Sequence, residues 1–100
     1  MRKILFTPLA FEQYNDWLLE NKQVFIRLKK LIVETAKTPF DGTGKPEALK
    51  YEYAGCWSRR ITIEHRFVYR IQEDCIEIIA CKFHYPPMVA KALIASSSTT

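Results

Sequence analysis

Three short stretches in the second half of the chain carry residue types able to act on a phosphodiester. They read Gly44-Lys45-Pro46-Glu47-Ala48-Leu49-Lys50, then Trp57-Ser58-Arg59-Arg60-Ile61-Thr62-Ile63-Glu64-His65-Arg66, and last Lys82-Phe83-His84-Tyr85. Between them they supply carboxylates, a cluster of guanidinium groups and a histidine. A base, anion binders and an acid are the parts needed to cut RNA without a metal. The RNA's own 2′-hydroxyl is then the nucleophile. A base removes its proton, a cation stabilises the crowded phosphorane, and an acid protonates the leaving 5′-oxygen. In model peptides glutamate titrates near about 4.3 and histidine near about 6.5, so only histidine both holds and releases a proton near neutrality. Arginine stays charged and presents a planar fork suited to phosphate oxygens.

Each of these residues also has a plain reading. An exposed glutamate beside a loop is ordinarily a solvated charge, and a single histidine at a strand end is ordinarily structural or solvated. Arg66 and Arg70 are expected on an outward strand face, where pairing with Glu64 or Glu77 would contribute up to about 1 kcal/mol per pair. Trp57 and the tyrosines serve sheet packing more often than base stacking.

The elements that must position these groups follow from periodicity. Ile4-Leu5-Phe6 is a short apolar run with the texture of a strand. Thr7 then caps and Pro8 opens a first helix over Pro8 to Glu20, with Leu9, Tyr14, Trp17 and Leu18 at near-helical spacing and Phe11 on the same side. Asn21-Lys22 is a break. A second helix carries Val24, Leu28, Leu31, Ile32 and Thr35 on one stripe and stops at Thr38-Pro39. Asp41-Gly42-Thr43-Gly44 is a loop, too short and wrongly spaced to cradle a nucleotide phosphate. From Glu47 the period changes to two. Leu49, Tyr51 and Tyr53 alternate with Lys50 and Glu52; Trp57, Arg59 and Ile61 share one face of a strand reaching Thr62; Phe67, Tyr69 and Ile71 lie opposite Arg66, Val68 and Arg70; and Ile76 to Phe83 is a last strand rich in β-branched residues.

The order is therefore β-α-α-β-β-β-β. This predicts an α+β domain, a helix hairpin packed on a twisted, mainly antiparallel sheet whose first strand joins somewhere. Strand parity is critical for the site. A three-residue link Glu73-Asp74-Cys75 sets Arg66 opposite Lys82 and puts His84 on the same face as Arg66, whereas a two-residue turn puts His84 on the opposite face. Glu64 is a rival base, on the face of Arg66 if the strand extends back to it. After Pro86-Pro87, residues 88 to 95 suggest a weak helix, and residues 96 to 100 read as a disordered tail.

One hundred residues make one domain with a modest core, so any site is expected to lie open on a face. Fifteen Lys and Arg against 11 Asp and Glu leave a net charge of +4, which permits a polyanionic partner without demanding one. Three cysteines without paired spacing do not form a disulfide framework, and Cys81 reads as a buried free thiol. Two histidines without nearby Cys or Asp partners make a poor ligand set, so neither a metal nor another cofactor is implied. Pro8 and Glu12 interrupt the apolar start before a signal peptide forms, no run approaches the roughly 20 residues needed to span a bilayer, and the chain reads as cytoplasmic.

In combination, these motifs resemble the YoeB branch of the RelE-type toxins of bacterial toxin–antitoxin systems. Thr38-Pro39-Phe40 followed by Gly44-Lys45-Pro46-Glu47 and Leu49-Lys50 is similar to that branch's signature. So are Trp57-Ser58-Arg59-Arg60-Ile61, Glu64-His65-Arg66, Val68-Tyr69 and His84-Tyr85. The resemblance covers residues 1 to 85, read as a single toxin domain, with residues 86 to 100 as an extension. It implies a ribosome-dependent messenger-RNA endonuclease, held inactive by a YefM-like antitoxin, that forms a homodimer or a toxin–antitoxin hetero-oligomer. It matches Glu47 to the general base, His84 to the general acid, Arg66 to the phosphorane clamp and Tyr85 to the aromatic beside it. Lys50, Arg59, Arg60 and Lys82 match or flank cationic positions that would meet RNA or the ribosome. Relatives would end at or near the His-Tyr pair; here fifteen residues follow Tyr85. The competing reading is a binding module of the same fold, either like the gyrase-inhibiting sibling branch or an antitoxin-binding co-repressor. Neither would need the Glu, Arg and His-Tyr set.

Overall fold

The computed structural model describes residues 1–84. Strand β1 (Lys3–Phe6) leads into helices α1 (Pro8–Glu20) and α2 (Lys22–Lys37), followed by β2 (Glu47–Ala48), β3 (Cys56–Arg60), β4 (His65–Ile71) and β5 (Cys75–His84). The strands form one sheet in the order β1-β5-β4-β3-β2. β1 runs parallel to β5, and every other pairing is antiparallel. The α+β class and the helix hairpin on a mainly antiparallel sheet are as expected, and the first strand joins beside the last. Tyr85 and the extension over residues 86 to 100, including its expected weak helix and tail, lie outside the described residues.

Local chemistry explains the helix bounds. The Thr7 hydroxyl accepts the Ala10 N–H at 3.1 Å and donates to the Ile79 carbonyl at 3.0 Å, so one side chain caps α1 and ties it to β5. Asn21 serves two helices. Its N–H closes α1 on the Trp17 carbonyl at 2.8 Å, and its side chain accepts the Val24 N–H of α2 at 3.2 Å. The core lies between the helices and one face of the sheet. Ala10 and Trp17 meet Leu28, Leu31, Ile32 and Ala36, and both helices rest on Phe67, Tyr69, Ile76 and Ile78. Each large apolar side chain buried there contributes about 1.5–3 kcal/mol. The stripe expected on α1 is narrower in fact. Ala10, Tyr14 and Trp17 face the core, whereas Leu9, Phe11 and Leu18 stay about half exposed because α1 meets the sheet along one row only.

One strand expectation is corrected, and one open alternative is decided. The alternation of Leu49, Tyr51 and Tyr53 does not extend β2, which is two residues long. The chain turns at once into a 3₁₀ turn over Tyr51–Tyr53, with Tyr51 at φ 59° and Gly55 at φ 92°, conformations no strand accommodates. The link between β4 and β5 is tighter than a three-residue loop. The Gln72 N–H donates to the Cys75 carbonyl at 2.8 Å, leaving Glu73 and Asp74 as the turn's two central residues. Near the turn Ile71 faces Ile76 and Tyr69 faces Ile78, but Val68 faces Ala80, Arg66 faces Phe83 and His65 faces His84. Two irregularities thus insert two extra residues into β5. Two residues are one full side-chain period, so parity is that of a two-residue turn.

Candidate active site

The face of the sheet away from the helices carries Glu47 and Arg66. Glu47 of β2 is level with Ser58 of β3, and Arg60 of β3 is level with Arg66 of β4. The Arg66 side chain lies almost wholly inside the protein, at 1% exposure, while Glu47 keeps 41%. One guanidinium nitrogen of Arg66, Nη1, donates to the Ser58 hydroxyl at 2.6 Å and to the Glu47 carboxylate at 3.1 Å. A carboxylate reachable from solvent is therefore held beside an anchored cation. Arg60 lies directly across from Arg66, which sets two like charges on adjacent strands. Half-buried Phe83 lies on this face opposite Arg66, edge-on to Tyr53 with ring centroids 5.5 Å apart.

The loop that delivers Glu47 is set by Arg59, whose face is the other one. Arg59 is wholly buried. Its guanidinium donates to the carbonyls of Thr38, Asp41 (2.8 Å) and Thr43 (3.1 Å), to the Glu34 carboxylate at 2.8 Å and to the Tyr69 hydroxyl at 3.3 Å. Glu34 in turn accepts the Thr43 N–H at 2.9 Å and the Thr43 hydroxyl at 3.0 Å, and the Tyr69 hydroxyl donates to the Pro39 carbonyl at 2.7 Å. Burial pushes the Tyr69 hydroxyl above its ordinary value, while its bond to Arg59 and that residue's charge pull the other way. The expectation that Arg59 meets RNA is corrected. Its donors are spent on the chain's own carbonyls, and it has no surface to offer a phosphate.

The remaining expected residues divide by position. Lys50 is exposed just beyond β2, and Arg60 is half-buried on the open face. Glu64 falls in the bend before β4 and not on the strand, so it does not share a strand face with Arg66. Lys82 is drawn to α1, where its ammonium lies 2.6 Å from the Glu20 carboxylate and 4.9 Å from the centre of the Trp17 ring. It therefore does not join the open face. His84 ends β5 paired with His65, their ring centroids 6.3 Å apart, and His65 stands edge-on to Trp17 at 5.0 Å. Arg66 is next to His65 and so points the opposite way. Glu47 and Arg66 are thus brought together, while exposed His84 stands level with His65, the neighbour of Arg66, at the rim on the helix side of the sheet. The expectation of all three on one open face is corrected by the two-residue turn.

Sequence reasoning missed Ser58, Glu34 and Gln13. Ser58 was findable, since it shares strand parity with Arg60 on the open face. Glu34 and Gln13 carried no local signal, because their partners lie 25 and at least 68 residues away in the chain. Among the described residues no group of His, Cys, Asp and Glu side chains is placed to hold a metal ion.

Comparison with known proteins agrees with this architecture. Residues 6–85 match the family model of the YoeB-like toxin of the bacterial type II toxin-antitoxin system. The chain is 42% identical over 83 residues to Toxin YoeB of Escherichia coli strain K12, covering 83% of this chain and 99% of that protein. A solved YoeB/ParE toxin from Agrobacterium tumefaciens superposes with a TM-score of 0.79 at 44% identity, covering 83% of this chain and 99% of the other. A heterotetrameric YoeB-YefM toxin-antitoxin complex from Staphylococcus aureus gives 0.76 at 37% identity, covering 85% and 99%. The chain belongs to the YoeB-like family of toxins of bacterial type II toxin–antitoxin systems.

Proposed function

We propose that this toxin is a ribosome-dependent messenger-RNA endonuclease that works without a metal. The observation that carries the reading is the solvent-reachable Glu47 carboxylate 3.1 Å from the anchored guanidinium of Arg66, on the sheet face away from the helices. A base and an oxyanion clamp within reach of one phosphate are the two groups that 2′-hydroxyl attack requires first. Glu47 takes the 2′-hydroxyl proton. Arg66, with Arg60 across the strand pair, stabilises the charge gathering on the phosphorane. His84, at the rim, protonates the 5′-oxygen of the leaving strand, and Tyr85 stacks beside it. The bond from phosphorus to the 5′-oxygen breaks as the bond to the 2′-oxygen forms, leaving a 2′,3′-cyclic phosphate and a 5′-hydroxyl. The RNA must cross the rim between the two faces, which makes positioning by the ribosome part of catalysis and free RNA a poor substrate. Lys50 contributes to the phosphate field around the strand, with affinity falling as salt rises.

The partner is a YefM-like antitoxin, as in the staphylococcal complex, and the toxin acts in the cytoplasm as a homodimer or a toxin–antitoxin hetero-oligomer. In support of a soluble site of action, no helix among the described residues is long and apolar enough to cross a membrane. The test is primer extension on messenger RNA from translating ribosomes given purified toxin. Glu47→Ala, Arg66→Ala and His84→Ala should each lower cleavage by about 100-fold or more. Undiminished cleavage by all three variants overturns the reading. A wild-type chain that spares messenger RNA and blocks gyrase supercoiling transfers it to a binding module.

A further inference from the structure

The last turns of α1 do something the catalytic assignment does not explain. β1 ends at Phe6, level with Ile78, so beyond that point β5 loses its neighbour on one side. Side chains of α1 take over as its partner. The single amide oxygen of Gln13 accepts the Cys81 N–H at 2.7 Å and the Lys82 N–H at 3.1 Å. The Trp17 indole N–H donates to the Cys81 carbonyl at 2.9 Å, and Glu20 holds the Lys82 ammonium at 2.6 Å. Residues 13, 17 and 20 lie on one helical row, so one stripe of α1 grips two consecutive residues of β5. Those two residues lie in the second of the two irregularities of β5, between the pairs Val68–Ala80 and Arg66–Phe83; the first lies at Ile79, whose carbonyl accepts the Thr7 hydroxyl.

The register shows what this grip achieves. Continued from Ile71–Ile76 without irregularity, the ladder would carry His84 opposite Ile63, in the bend beyond the end of β4. The two extra residues together draw it back by about 6.6 Å along the strand, to a place level with His65, and the one at the Gln13 contact accounts for about 3.3 Å of that. A bulge leaves backbone N–H groups out of the ladder, and a buried unmatched N–H is costly, so the bulge persists where an acceptor meets it. Gln13 is that acceptor for two N–H groups at once.

We infer that Gln13 is a positioning residue for His84, holding the second irregularity of β5, which keeps this histidine level with His65 and beside Arg66. The inference rests on the reading of His84 as the general acid. Gln13→Leu removes the acceptor, whereas Gln13→Glu keeps a carboxylate oxygen in its place. Two readouts are taken on the full chain: kcat and KM for cleavage on translating ribosomes, and nuclear Overhauser contacts between the His65 and His84 rings. In Gln13→Leu the ring contact should be lost and kcat should fall about 10- to 100-fold with KM within about 2-fold. Gln13→Glu should restore the contact and bring kcat to within about 3-fold of wild type. A Gln13→Leu protein that keeps either the ring contact or the wild-type kcat overturns the inference, as does a Gln13→Glu protein that fails to rescue. If the wild-type chain does not cleave at all, the endonuclease reading fails by itself, and the ring contact alone decides whether Gln13 places His84.

Discussion

Two arginines seven residues apart in the sequence, Arg59 and Arg66, are both buried, yet they meet different surroundings. Arg59 has five acceptors from its own chain around it and is closed to solvent. Arg66 is anchored by Ser58 and meets a carboxylate that solvent reaches. Burial alone therefore does not separate an arginine enclosed by its own chain from one that meets a solvent-reachable carboxylate; the surrounding partners do. Replacing Arg59 with Met should strand three carbonyls and the Glu34 carboxylate, costing about 3 kcal/mol or more of stability in urea unfolding. Arg66→Ala should show its larger effect in cleavage. Both arginines looked alike in the sequence, as members of one basic stretch. Strand parity set them on opposite faces, but only the loop over residues 38 to 43 showed that one is enclosed.

At the scale of elements, the segment from α2 to β2 delivers Glu47, and Gly44 is its tightest point. Gly44 has φ +87°, and a Cβ there would lie 3.0 Å from the Arg60 carbonyl oxygen and 3.2 Å from the Arg59 Cβ. Its own carbonyl accepts the Arg60 N–H at 2.7 Å, so the loop is joined to β3 immediately before β2 begins. Gly44→Ala should therefore destabilise the fold by about 1–3 kcal/mol and displace Glu47, seen as a lower urea midpoint together with reduced cleavage. Helix bounds were legible because caps act locally: Thr7, Pro8 and Asn21 each act within a turn of their own position. The strand after Glu47 was not legible. Tyr51 and Tyr53 alternate like strand residues, and nothing local reports the positive φ that folds them into a 3₁₀ turn.

The whole molecule is sensitive to alkali in a way that follows from its core. Burial pushes the Cys81 thiol from its ordinary 9.0 up to about 12, and burial also raises the Tyr69 and Tyr14 hydroxyls. Above about pH 9 the unfolded chain gives up these protons first and binds fewer than the native state, so stability falls as pH rises. Urea midpoints should decline from pH 9 toward 12, and Cys81→Ala should remove part of that decline. Well below pH 9 Cys81 is protonated in both states and contributes no slope. The native thiol should also resist thiol reagents at pH 8, since it is enclosed and carries no thiolate there.

The sequence by itself determined the class, the two helices with their caps, the core face of each long strand, and the kinship of Glu47, Arg66 and His84 as a set. Those properties rest on short-range periodicity, on capping within one turn, and on motif order, all of which a linear chain carries. Only the tertiary structure decided where β1 joins, how far His84 is drawn back along β4, and which arginine is enclosed. Each of those depends on groups far apart in the chain: Gln13 reaching Cys81, Glu34 reaching Arg59, and a two-residue turn whose parity reaches His84 through two irregularities. Side-chain identity specified what chemistry was available, and backbone register over long separations specified which groups share a face.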